Sequence, residues 1–196
     1  MNIESNARNK AGGPAMGNYG VVTEPGTFRF QILLPGQVER VWAYLTESDK
    51  RGKWLASGPM DLRAGGRVEL RFRHAELSAE KALPDKYKQL ADGHTLEGRI
   101  LRCKPPHLLS YTWGDNADKK GGMNNSEVTF ELTPREDCVL LVLTHRRLGE
   151  RATMLSVASG WHTHAAILLD SLDGRAPRGF WTTHARLETE YERRIP

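Results

Sequence analysis

Residues 151–173, RATMLSVASGWHTHAAILLDSLD, constrain this chain more than any other stretch. They contain no proline, and Gly174 follows as a stop. Met154, Val157, Ala158, Trp161, Ala165, Leu168 and Leu172 recur at spacings of three and four, which puts them on one helical stripe. At 1.5 Å per residue the helix runs about 35 Å, enough to cross a small domain. The chain before it reads mostly as strands. One long helix after a run of strands points to a sheet wrapped around that helix, and function then depends on what lies between the two.

The strands are read from alternation. Phe28, Phe30, Ile32 and Leu34 share one face, and Pro35-Gly36 ends the run. Val38, Val41, Trp42 and Leu45 then fall on a short amphipathic helix, and Ser48 is placed to cap a second one that presents Trp54 and Leu55. Val68, Leu70 and Phe72 alternate with Arg67, Arg71 and Arg73, which are expected on a solvated face. Strands follow at 95–104, 108–113, 127–133 and 138–147, with a polar glycine-rich turn at 115–125. The predicted fold is α+β: about six to seven antiparallel strands in a curved sheet, two short helices after the first strand, and the long helix. A further amphipathic helix is expected after Pro177, with Phe180, His184, Leu187 and Tyr191 on one side.

Composition narrows the function classes. The chain has 196 residues and 28 basic against 24 acidic side chains, a net charge of +4. The basic residues are scattered, so no nucleic-acid partner is expected. No run approaches the ~18 apolar residues of a membrane span, and no secretory signal is visible, so the expected location is cytoplasmic. Cys103 and Cys138 read as reduced, buried small hydrophobes within strands. Residues 1–18 read as a disordered tail, 19–174 as the domain and 175–196 as a C-terminal helical extension. Residues 74–93 form a long charged segment, the kind of loop that covers a site.

The run FQILLPGQVERVWAYLTESDKRGKWL (30–55) resembles the opening of the START-like SRPBCC superfamily. So do Gly65–Arg67, Pro105-Pro106, Leu109–Trp113, Ser126–Leu132, Leu143–His145 and Gly160-Trp161, in that order. The closer resemblance is to the branch named for the C-terminal domain of the activator of the heat-shock-protein-ninety ATPase, and it spans roughly Thr27 to Gly174. It implies a helix-grip fold with a deep cavity between sheet and helix, suited to a hydrophobic small molecule. Relatives range from lipid and hormone binders to cyclases and stress-linked proteins. The named activator carries a separate N-terminal domain, whereas this chain has about two dozen mostly polar residues before its first strong strand. Co-chaperone activity is therefore not expected to carry over.

Within that picture the candidate ligand-binding set is Tyr111, Trp113, Phe130, Leu141, Leu143, His145, Trp161, His164 and Leu168. Parity places Tyr111 and Trp113 together, and His145 with Leu141 and Leu143. Core filling is the alternative for Tyr111, Trp113 and Trp161, and a hydrogen-bonded packing histidine at a strand end is the alternative for His145. His162 and His164 stand about 200° apart on the helix and cannot converge on one metal, so no metal site is expected, and the alternative for both is a partly exposed helix position. No nucleophile elbow, phosphate loop or dinucleotide-binding glycine pair occurs. No catalytic residue and no cofactor are assigned. The expected function is non-catalytic binding of a small hydrophobic or aromatic molecule, with residues 74–93 as a gate, by a monomer or homodimer. The alternatives are a cyclase- or hydrolase-type enzyme using His145 with Tyr111, and a stress protein with a chaperone partner.

Overall fold

The computed structural model describes residues 19–80, 83–90, 92–114 and 126–196. The expected tail of residues 1–18 and the turn at 115–125 lie outside the described residues, as do residues 81, 82 and 91 of the expected gate. The chain runs β1 (Val21–Glu24), β2 (Thr27–Pro35), α1 (Val38–Thr46), α2 (Ser48–Arg51), β3 (Arg67–Phe72), β4 (His94–Lys104), β5 (Leu108–Trp113), β6 (Ser126–Pro134), β7 (Cys138–Arg146), α3 (Arg151–Leu172) and α4 (Phe180–Arg194). Two 3₁₀ turns, His74–Glu76 and Asp85–Leu90, lie between β3 and β4.

The seven strands form one antiparallel sheet in the order β1-β2-β7-β6-β5-β4-β3. This is the helix-grip arrangement expected from the sequence, with α3 held against the sheet. Phe28, Phe30, Leu34, Val128, Phe130, Leu132, Leu141 and Leu143 are all buried, as period-2 alternation requires. Phe30 pairs with Leu143, and Leu143 with Phe130, so three strands lay apolar residues side by side in one row. Arg67, Arg71 and Arg73 take the solvated face and pair with Glu69, Glu97 and Glu76.

Four details differ from the sequence reading. β1 is an additional edge strand whose four residues are all exposed, so it lacks any alternation to read. Ser48 does not cap α2; Glu47 holds that position, and Ser48 Oγ instead accepts the Gly58 backbone N–H at 2.9 Å. Cys103 and Cys138 are free but only half-buried, near strand ends. Finally, α3 is not amphipathic beyond its first turns. Every residue from Trp161 to Asp170 is buried, including His162 and His164, because the sheet covers one side and α4 the other.

The α3–α4 hairpin is fixed chemically. Gly174 adopts φ +69°, and Arg175 N–H donates to Asp170 O at 2.9 Å, the left-handed stop expected after a helix. The buried Asp170 carboxylate takes the Arg178 guanidinium through two bonds of 2.7 Å and the Arg178 backbone N–H at 3.1 Å. Burial alone raises the Asp170 pKa, but the Arg178 bonds prevail and hold it below the usual range. At the far end, Tyr191 Oη accepts the Gly20 N–H at 2.9 Å and tethers α4 to the start of the sheet.

Candidate functional site

A cavity of about 410 Å³ lies between the sheet, α3 and α4. That falls within the ~300–1,000 Å³ usual for small-molecule sites. Four walls contribute. Phe72, His94, Trp113 and His145 come from strands, and Val157, Gly160, Trp161 and His164 from α3. His74, Lys86 and Tyr87 come from the segment expected to be a gate, and Phe180, Trp181, His184 and Glu188 from α4. Five of the seven histidines in the chain therefore face one cavity.

The hydrogen bonds set their tautomers. Trp161 Nε1–H donates to His145 Nδ1 at 2.9 Å, so the neutral ring carries its proton on Nε2, which donates to Ser126 Oγ at 2.8 Å. Both nitrogens of His145 are engaged. His164 Nδ1 faces the Trp54 carbonyl at 2.6 Å, and a carbonyl only accepts, so Nδ1 holds the proton. That leaves His164 Nε2 as a bare acceptor on a ring that lines the cavity. The Trp54 carbonyl is presented there because buried Arg51 ties the turn together, donating to the carbonyls of Thr46, Ala56 and Gly58.

Burial dominates the electrostatics. It lowers His145 and His164 to about 3, and His74 to about 4, with His94 and His184 adding to the effect at His74. The cavity is accordingly neutral inside at physiological pH. Its charged lining side chains, Lys86 and Glu188, pair with each other at 2.6 Å. Burial opposes ionisation of Glu188, but bonds from Lys86 and Tyr87 hold its carboxyl below the usual range.

Two polar atoms are left over. Trp113 Nε1 and His74 Nδ1 are buried without a hydrogen-bond partner among the described residues. Both side chains are more than nine-tenths buried, and both line the cavity. An unpaired buried donor or acceptor costs about 1–3 kcal/mol.

The segment expected to be a gate is clasped to α4. Tyr87 Oη donates to Glu188 Oε2 at 2.8 Å, which leaves its lone pairs for His184 Nδ1–H at 3.1 Å. Ser78 Oγ accepts the Phe180 N–H at 3.2 Å, and Glu80 accepts the Trp181 and Thr182 N–H groups at 2.8 and 3.2 Å. An acidic side chain on the first N–H groups of a helix is a favourable charged cap.

Of the nine residues named from sequence, Trp113, His145, Trp161 and His164 meet at the cavity. Tyr111, Phe130, Leu141, Leu143 and Leu168 are buried in the packed core and do not line it. Tyr111 stacks on Phe130 at 5.9 Å, and Phe130 meets Trp161 edge-on at 5.5 Å, so they support the cavity wall from behind. His74, Tyr87, His94, Phe180, Trp181, His184 and Glu188 were not among those nine; the length of the 74–93 segment was a signal for His74 and Tyr87, and the amphipathic stripe after Pro177 was one for Phe180 and His184.

An antiparallel sheet gripping a long helix around an aromatic-walled cavity defines a START-like, helix-grip protein. The chain belongs to the family described as Activator of Hsp90 ATPase homolog 1-like protein, which matches residues 36–173. The whole of α4, with its four cavity residues, lies outside that match. A protein from Bordetella parapertussis, solved by solution NMR, shares 42% identity over 100% of this chain and 96% of its own, with a TM-score of 0.73. CalU16 from Micromonospora echinospora is 20% identical in its crystal structure, covering 85% of this chain and 86% of its own, TM-score 0.60. The Aha1 dimer from Colwellia psychrerythraea is 17% identical, covering 74% of this chain and 95% of its own, TM-score 0.55. These last two share the fold. No curated protein matches the sequence. Among the described residues no helix is long and apolar enough to cross a membrane.

Proposed function

We propose that this protein binds a small hydrophobic or aromatic ligand, without catalysis, in the cavity between the sheet and α3. The observation that carries this reading is the cavity itself. Its walls are mostly ring faces, and two of its buried polar atoms have no internal partner. Residues 74–80 and 83–90, with α4, act as the gate, since both contribute to the lining and each is bound to the other.

The enzyme alternative built on His145 and Tyr111 has less support. His145 has no free nitrogen, and Tyr111 does not reach the cavity. A chaperone partner would use an outer surface, and binding there would be indifferent to the cavity.

A panel of aromatic compounds screened by thermal shift, followed by a crystal structure of the best hit, tests the reading. A raised melting temperature with ligand density against Trp113 and Trp161 is expected. No shift across the panel, or density only on the outer surface, overturns it.

A further inference from the structure

We infer that the cavity selects a neutral aromatic compound bearing two polar groups: a carbonyl-type acceptor for Trp113 Nε1–H and a hydroxyl or amine hydrogen for His164 Nε2. This rests on the cavity being a ligand site and specifies the chemistry of what enters it.

The donor stands on the sheet wall and the acceptor on the helix wall. Indole Nε1–H can only donate, and in Trp113 it is buried with no acceptor among the described residues. An occupant without an acceptor there leaves that donor stranded, whereas a carbonyl satisfies it. His164 has committed its single proton to Trp54 O, so its remaining nitrogen can only accept. A ligand N–H or O–H complements it. His74 Nδ1 is a second unpaired atom beside it, its ring centroid 5.5 Å from that of His164.

Two features exclude charged ligands. The lining cation and carboxylate, Lys86 and Glu188, neutralise each other, so neither is a free counter-ion. The histidines around the cavity are kept neutral by burial and offer no positive charge to an anion. A carboxylate entering this space loses its hydration without a compensating partner. The aromatic requirement follows from ring faces on opposing walls: Trp113 and Trp161 meet edge-on at 4.9 Å, and Phe180 and Trp181 at 4.8 Å.

The test uses matched bicyclic probes on the full chain, read by titration calorimetry near pH 7.5. 2-Acetonaphthone is compared with 2-isopropenylnaphthalene, which has the same shape without the acceptor. 2-Naphthol is compared with 2-methylnaphthalene, and 2-naphthoate supplies the anion. Each polar member is expected to bind about tenfold tighter than its apolar twin, and 2-naphthoate more weakly than either twin. Trp113→Phe should abolish the acetonaphthone advantage alone. His164→Asn, which keeps an N–H for Trp54 O, should abolish the naphthol advantage alone. The comparison between twins on the unsubstituted protein needs no variant to fold. If the twins bind equally, or the advantages persist in well-folded variants, the inference fails while cavity binding stands. If no probe binds at all, both readings fail together.

Discussion

Trp161 on the long helix donates its indole hydrogen to His145 on β7, 2.9 Å away and out of contact with bulk water. The bond joins helix to sheet across the cavity wall, and it determines which proton the histidine keeps. His145 passes the hydrogen on its other nitrogen to Ser126, whose backbone pairs with Trp113. A residue that looks like a candidate acid or base in the sequence is thus a structural tie. Its ring is neutral, saturated and aligned by two partners.

Removing that tie strands its partners. His145→Ala leaves the Trp161 indole N–H unpaired and opens a void, and is expected to destabilise the fold by roughly 2–4 kcal/mol. Urea denaturation at pH 7.5 measures this. A loss below about 0.5 kcal/mol would show that the His145–Trp161 bond contributes little.

Acid should unfold this protein early. His145 and His164 sit at about 3, and His74 and His162 at about 4, in each case chiefly through burial. In the unfolded chain each protonates near its ordinary value of about 6.5. Between those limits the unfolded state binds more protons, so stability rises with pH. The contribution is complete above about pH 6.5 and is lost as pH falls towards 4 for His74 and His162 and towards 3 for His145 and His164. One such group costs about 2 kcal/mol at pH 5, and four together approach the ~5–15 kcal/mol of a whole domain. Urea midpoints should therefore drop steeply between pH 7 and 5, before most carboxylates titrate. A flat profile over that interval would contradict neutral burial of these four rings.

The sheet was legible because its inner face obeys a strict alternation. Phe28, Phe30, Val128, Phe130, Leu141 and Leu143 each announce their side by parity. β1 was not legible, since Val21–Glu24 is an exposed edge held by backbone pairing to β2. The long helix was legible as a helix, but its burial on every side was not. That depends on α4 folding back, which the Asp170–Arg178 contact secures and no local pattern reveals.

The site divides in the same way. Parity gives the face of a strand but not the depth along it. Tyr111 and Trp113 share a face, yet Trp113 reaches the cavity while Tyr111 packs against Phe130. His74, Tyr87, His94, Phe180 and His184 come from segments far apart in sequence, and only tertiary closure brings them together. A histidine in an irregular segment carries no period that would place it.

The contact between Tyr87 and α4 should loosen without the fold failing. Tyr87→Phe removes one donor to Glu188 and the acceptor for His184, both on partly buried groups. Global stability is expected to fall by no more than about 1 kcal/mol. Limited trypsin cleavage after Lys86 or Lys88 should accelerate severalfold, because local opening precedes cutting. Unchanged cleavage would mean that the Ser78 and Glu80 contacts alone hold the segment down.

Gly160 offers the sharpest separation of cavity from core. It sits in the interior of a 22-residue helix, where glycine costs about 0.5–1 kcal/mol relative to alanine. Nothing in the backbone demands it, since it is not among the positive-φ glycines. A Cβ built there meets no atom within 4 Å, and the residue lines the cavity, so what its missing side chain leaves is open space. Gly160→Ala should raise stability by roughly 0.5–1 kcal/mol, read from the urea midpoint. Gly160→Leu should fold with similar stability but project four carbons into the cavity, so aromatic probes that bind the unsubstituted protein should lose most of their affinity. A Leu variant that folds well and still binds such probes undiminished would place their site elsewhere on the molecule.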